Sequence, residues 1–335
     1  KASLLCTIGP AVDGGVVLSG HTDVVDALGQ TWSTPSPFTL TERDGRLHAR
    51  GACDMKGFIA CVLAAAPTFA AATLKKPIHI ALSRDEEIGS VGMPQMLDMI
   101  REDGNTPAAA IVGEPTKMQI IAGHKAGYEM LTIFKGVAAH SSMPTVGSSA
   151  TVPAARFAVF LDELSKEMAQ SPDLESPFVP PYGLINVGII QGGTGKNIVA
   201  DKCIVDWHYR PLPQDNPEEI VERARRYAYD VLLPQMQEHG HPAEIDFIQE
   251  SFYPGLLPQK DSPALQLVQT LLQKQQYDVA PFGADSGFFQ QAGISAVLVG
   301  PGSIEQAHKP DEYIEIEQLS QCLHFLDDLR QHLTA

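Results

Sequence analysis

The chain has 335 residues, 44% of them hydrophobic, and its 24 Lys plus Arg against 40 Asp plus Glu give a net charge of -16. That length accommodates one large core or, as the patterns below suggest, two domains. The acidic balance would repel a phosphate backbone, which argues against nucleic acid as a partner, and it suits a soluble cytoplasmic enzyme. The cysteines (Cys6, Cys53, Cys61, Cys203 and Cys322) are odd in number and form no CxxC pair, so a reducing compartment is expected and a disulfide framework is not. The longest apolar run, 58–74, is broken by Pro67 and is shorter than a membrane span needs. It reads as a buried helix, and no membrane partner is expected.

Lys1 stands just before a predicted strand, 3–8, so the chain is expected to begin inside a domain. Residues 15–19 (GVVLS) form the short apolar run typical of a buried parallel strand. A helix at 55–69, a strand at 78–83, a helix at 91–101 and a strand at 108–112 follow. This βαβ rhythm predicts a mostly parallel sheet covered on both faces. From about residue 127 the pattern changes. Residues 128–135 alternate as a strand, and Phe157, Phe160, Leu161, Leu164 and Met168 fall at helical spacing. Residues 183–190 and 202–209 read as strands. Asn216-Pro217-Glu218-Glu219 then starts a helix with an apolar face of Ile220, Ala224, Tyr227 and Val231, and 243–249 is a further strand. The order βαββαβ is that of a ferredoxin-like α+β sandwich. It predicts an inserted domain at 127–251 within an α/β domain made of 1–126 and 252–335. A helix at 263–273 and a strand at 295–299 resume the α/β rhythm. The last helix is expected to be lined by Leu319, Cys322, Leu323, Leu326, Leu329 and Leu333.

Metal-type side chains follow the strands of the larger domain: His21 and Asp23 after 15–19, Asp85, Glu86 and Glu87 after 78–83, Glu114 after 108–112, and His308 in the loop after 295–299. Open α/β sheets bind ligands beyond the carboxyl ends of their strands. Singly, His21 and Asp23 describe a loop histidine held by its neighbour, and Glu86-Glu87 a solvated acidic pair. Their weight comes from meeting at one sheet edge. Imidazole with carboxylate, and no thiolate set, suits zinc and its neighbours.

Ser19-Gly20-His21-Thr22-Asp23-Val24-Val25 resembles the first metal motif of the acetylornithine deacetylase and succinyl-diaminopimelate desuccinylase family of zinc hydrolases. Arg50-Gly51-Ala52-Cys53-Asp54-Met55-Lys56-Gly57 resembles the second. Asp85 to Ser90, Gly113-Glu114-Pro115-Thr116 and the segment from Gly300 to His308 complete five motifs in the family's order. The resemblance implies two Zn2+ ions, which Co2+ can replace. His21 and Glu114 would hold one, Glu87 and His308 the other, and Asp54 would bridge them. Asp23 would hold the His21 imidazole through its carboxylate, and Glu86 would be the general base for hydrolysis of an amide.

In the inserted domain, Ala139-His140-Ser141-Ser142-Met143-Pro144 resembles a motif whose histidine reaches the partner subunit's site and donates to the oxyanion. Asn197 would hydrogen-bond the substrate or the oxyanion, and Arg210 would grip the substrate α-carboxylate. The implied protein is a homodimer, paired through the inserted domain, acting on a small N-acyl amino acid. The segment from Gly300 to His308 followed by Lys309-Pro310-Asp311-Glu312-Tyr313 most resembles the acetylornithine deacetylase branch of the family, which implies N-acetyl-L-ornithine as the first substrate to expect. Succinyl-diaminopimelate desuccinylase, a general N-acyl amino acid hydrolase and a carboxypeptidase are the rivals within the class. A non-catalytic metal-binding relative is the rival outside it, and Glu86 argues against that because binding a metal needs no base. The sequence departs from the family at Asp26, where Pro is common, and at Asp285-Ser286, where Glu-Ala is expected. The family's N-terminal helical segment is not in this sequence, which would uncover apolar sheet surface.

Overall fold

The computed structural model describes residues 1–334. Two compact units emerge, one of Lys1–His124 with Tyr253–Ala335 and one of Lys125–Phe252.

The first unit is built on a seven-stranded sheet in the order Leu4–Ile8, Ile78–Ser83, Val16–His21, Ala109–Val112, Ser295–Leu298, Ile121–His124 and Asp278–Ala280. Val16–His21 pairs in parallel with both of its neighbours, and Ser295–Leu298 pairs in parallel with Ala109–Val112. Leu4–Ile8 is an antiparallel edge. Alternate residues of each strand face opposite sides. Val16, Leu18, Ile111 and Val297 join one core with Phe58, Val62, Val268, Phe325 and Leu326 from the helices Gly57–Ala71, Pro263–Leu272 and Ile316–Thr334. Val17, Ala110, Val112 and Leu298 join another with Met93, Met96 and Phe289 from Met93–Glu102 and Ser286–Gln291. The sheet is thus covered on both faces, as parallel sheets require. By length and apolarity 52–71 could cross a bilayer, but 61% of that stretch is buried inside the fold. It is a core helix with the turn before it.

The second unit carries a four-stranded sheet in the order Leu184–Gly192, Lys202–Arg210, Gly127–Lys135 and Glu244–Tyr253. Phe157, Leu161, Trp207, Ala224 and Leu232 pack the helices onto it.

Three local expectations are corrected. The helix expected from Met55 begins at Gly57, because Asp54 and Met55 hold non-helical backbone angles. On the helix begun at Pro217, Val231 is 40% exposed while Ala228 and Leu232 are buried. Tyr227–Leu232 forms a wider turn, which rotates the apolar stripe by a fraction of a turn. On the last helix Leu323 is 42% exposed, and Phe325 takes a buried place instead. Three short strands, Thr41–Arg43, Arg46–His48 and Tyr313–Glu315, pair into a small sheet that the sequence reading omitted.

The last helix supplies a stability test. Leu326→Ala should destabilise the protein by roughly 2–5 kcal/mol, whereas Leu323→Ala should cost less than about 0.5 kcal/mol. Denaturant unfolding of the two variants checks this, and equal losses would place Leu323 in the core.

Candidate metal centre

Because the strands ending at His21, Ser83, Val112 and Leu298 are parallel neighbours, the segments that follow them leave the sheet at one edge. Two of these exits, and the turn that carries Asp54, depend on backbone detail. Gly113, just before Glu114, has the ring of Phe58 where a Cβ would lie, only 2.0 Å away, so no other residue fits there. The Asp54 turn is entered through Gly51 at φ 79°, with Val24 2.5 Å from a hypothetical Cβ. Asp85 turns the chain at φ 59°, held by Arg84 at 2.5 Å and Lys1 at 2.7 Å.

Two groups of ligand-type atoms result. His21, Asp54 and Glu114 converge in one, and Asp54, Glu87 and His308 in the other; within each, the atoms lie within 4.8 Å of one another. Asp54 belongs to both. Its Oδ1 is 3.0 Å from His21 Nε2, and its Oδ2 is 3.2 Å from His308 Nε2. The same His308 nitrogen lies 3.1 Å from Glu87 Oε2. His21, Asp54 and Glu114 are buried, and His308 is exposed. Among the described residues these are the two groups of three or more such side chains.

The electrostatics are those of a centre short of positive charge. Burial, then Asp54 and other carboxylates, push the Glu114 carboxyl well above its usual range, with His21 opposing. Burial, then the Glu114 carboxylate, raise Glu86 likewise, against His21. Burial alone would favour a neutral His21, but the Asp54 hydrogen bond and surrounding acids outweigh it and raise its pKa. Burial would also raise Asp54; hydrogen bonds with His21 and His308 overcome this and hold it well below the carboxylate range. Hydrogen bonds with Asp54 and then Glu87 raise His308 from 6.5 to about 10. Oxygen and imidazole donors around a charge deficit fit divalent cations of the zinc type, and the carboxylate shared between groups fits a pair of them.

Asp23 touches more than the His21 ring. The His21 Nδ1 faces the backbone carbonyl of Asp23 at 3.1 Å, while the Asp23 carboxylate is 3.7 Å from it. That carboxylate instead accepts the backbone N–H of Glu86 at 3.1 Å and of Glu87 at 3.0 Å. The chain turns out of its strand so that the carbonyl reaches the ring first, which leaves the carboxylate to shape the turn carrying both glutamates. Asp26 is exposed and accepts from the N–H of Leu28 in a local turn. Asp285 is buried, and one of its oxygens accepts from Ser83 Oγ at 3.0 Å.

In the second unit, His140 pairs with Ile198 in the two-stranded ladder of Ala139–His140 and Ile198–Val199, Asn197 directly precedes that ladder's second strand, and both are exposed. The N–H of Ser141 donates to the Asn197 carbonyl at 2.9 Å, and His140 Nδ1 is 2.7 Å from Ser142 Oγ. Arg210 ends the strand Lys202–Arg210 and is partly buried. His241 faces the Thr145 carbonyl at 2.9 Å and belongs to neither ligand group. The sequence reading gave no role to Arg50 or Glu312, whose buried ion pair at 2.7 Å lies beside the Asp54 turn.

The profile of Peptidase family M20/M25/M40 matches residues 17–332. An acetylornithine deacetylase of Myxococcus xanthus is 34% identical over 328 residues, covering 96% of this chain and 81% of that protein. One of Pasteurella multocida is 32% identical over 334 residues, covering 100% of this chain and 82% of that protein. In structure, an M20 family metallo-carboxypeptidase of Sulfolobus solfataricus has a TM-score of 0.75 at 18% identity, covering 99% of this chain and 87% of that one. A dinuclear metal binding peptidase of the M20 family from Bacillus subtilis has a TM-score of 0.65 at 18% identity, covering 99% and 85%.

A pH test follows from His308. Its raised pKa stabilises the metal-free protein fully below about 6.5, and that contribution is lost as pH rises towards about 10. Calorimetry under chelator should therefore show the Tm of the wild type converging on that of His308→Ala between pH 7 and pH 10. A Tm difference constant across that range would contradict the assignment.

Proposed function

Because this chain belongs to peptidase family M20/M25/M40, we propose that it is a two-metal amidohydrolase that deacylates N-acyl amino acids, with N-acetyl-L-ornithine as substrate and L-ornithine and acetate as products. The observation that carries the reading is Asp54, a buried carboxylate whose two oxygens face two different imidazoles and which belongs to both ligand groups. The identity of 32% or more to acetylornithine deacetylases over nearly the whole chain supports the substrate. Zinc is the metal this donor set would take, with cobalt able to replace it; His21, Asp54 and Glu114 would hold one ion and Asp54, Glu87 and His308 the other.

Ions in these groups would supply the positive charge that polarises an amide carbonyl and makes water a nucleophile near neutral pH. Glu86 feels the charges of His21, Glu114 and Glu87 but belongs to neither ligand group. It takes the proton of the attacking water and later delivers it to the departing amine. Asp23, through the two N–H groups it accepts, holds Glu86 and Glu87 in their separate roles.

The 127–251 domain supplies the rest of the reaction and the dimer contact. Its strand Leu184–Gly192 is a sheet edge, with Ile189 52% and Ile190 53% exposed, which supports pairing with a second copy. His140 donates to the developing oxyanion of the partner's site, Asn197 hydrogen-bonds the bound substrate, and Arg210 pairs with the α-carboxylate. A cytoplasmic location fits the five free cysteines.

Purified protein loaded with zinc or cobalt should turn over N-acetyl-L-ornithine faster than N-succinyl-diaminopimelate or a dipeptide. Faster turnover of the succinyl compound would move the substrate to that class. Glu86→Gln should keep its metal and lose about 10²- to 10⁴-fold in kcat, while Glu87→Gln should lose metal. Elemental analysis with steady-state kinetics separates the two, and an exchange of these phenotypes would reverse the roles.

A further inference from the structure

We propose that Glu312 is a positioning residue for the centre: its single carboxylate fixes the turn that carries Asp54 and ties it to the segment that carries His308. This rests on the reading of Asp54 as the ligand shared by two ions.

The Glu312 and Arg50 side chains are each 1% exposed. Glu312 Oε2 accepts from Arg50 Nη1 at 2.7 Å and from the Gly51 N–H at 3.0 Å. Its Oε1 accepts from the N–H groups of Cys53 at 2.8 Å and Asp54 at 3.1 Å. Three of the four donors are therefore backbone groups of the Asp54 turn. That turn needs an outside acceptor. Asp54 (φ -119°, ψ 99°) and Met55 (φ -128°, ψ 35°) are not helical, so the helix beginning at Gly57 cannot include these N–H groups in its own ladder. A carboxylate with four acceptor sites can take all of them, and an amide oxygen cannot.

The same residue is anchored on the His308 side. Its own carbonyl accepts the Ala49 N–H at 3.1 Å, and Tyr313 pairs with His48 across the small sheet. Arg50 Nη1 also donates to the Lys309 carbonyl at 3.2 Å, and Cys53 Sγ donates to the Ser303 carbonyl at 3.2 Å. Segments 48–54 and 303–313 are therefore joined on both sides of His308. Each oxygen of Asp54 serves a different ligand group, so a displaced turn misplaces a ligand of both. Arg50 alone would require only a counter-charge; the three backbone donors determine where the Asp54 side chain starts.

The test is binding of Co2+ alone to the metal-free full chain, followed by chelator competition and by the visible absorption of the bound ion. Wild type should take up two ions. Glu312→Gln should bind both about 10- to 100-fold more weakly, with a changed absorption spectrum. Leu326→Ala, destabilised in the same unit at a residue that makes none of the Glu312 hydrogen bonds, should keep the wild-type affinities and spectrum, which separates positioning from loss of stability. If Glu312→Gln leaves Arg50 stranded and does not fold, the double variant Arg50→Met/Glu312→Gln removes both charges and should show the same weakening. Wild-type affinity and spectrum in a folded Glu312 variant would overturn the proposal. A wild type that takes up only one ion would instead overturn the shared-ligand reading, and the proposal with it.

Discussion

The ligand groups of the first unit are constrained by the repulsion among carboxylates gathered where water is scarce. Asp54, Glu86, Glu87 and Glu114 meet at one edge of the parallel sheet with only two imidazoles among them, and Glu86 and Glu114 are driven towards their neutral forms. A low-dielectric site tolerates such a set only with compensating cations or bound protons. Imidazole rings supply part of the compensation, since His308 is raised to about 10 by its two carboxylate partners. Much of the surrounding framework can be understood as holding these groups together against their mutual repulsion.

That framework is largely backbone hydrogen bonding to side-chain carboxylates. Asp23 accepts two consecutive N–H groups and aims Glu86 and Glu87 differently. Glu312 accepts three and shapes the Asp54 turn. Below them, the sheet is fixed by apolar packing on both faces, which makes the strand ends a rigid base. Precise ligand placement follows from rigid strands carrying short turns, each with its own carboxylate support.

The α/β class and the parallel sheet were legible because strands such as 16–21 and 109–112 are buried along their whole length and carry the apolar runs 16–18 and 109–112. His21, Glu87 and Glu114 were legible because each follows a predicted strand within a few residues; His308 lies further along its loop, and Asp54 was carried by the family resemblance alone. What escaped has physical reasons. The strands 41–43, 46–48 and 313–315 are three residues each, too short to display a period. Val231 was misplaced because a local widening of the helix shifts phase without altering composition. Leu323 was placed in the core because a leucine at nearly the right spacing looks the same whether buried or exposed. The carboxylates of Asp23 and Glu312 meet backbone donors far away in sequence, and a backbone N–H has no residue signature.

The central claim is that two ions share Asp54, and it is tested most directly by diffraction from zinc-soaked crystals at the zinc absorption edge. The account expects two anomalous peaks flanking the Asp54 carboxylate, one against His21 and Glu114 and the other against Glu87 and His308. A single peak, or peaks elsewhere with none at Asp54, would contradict it.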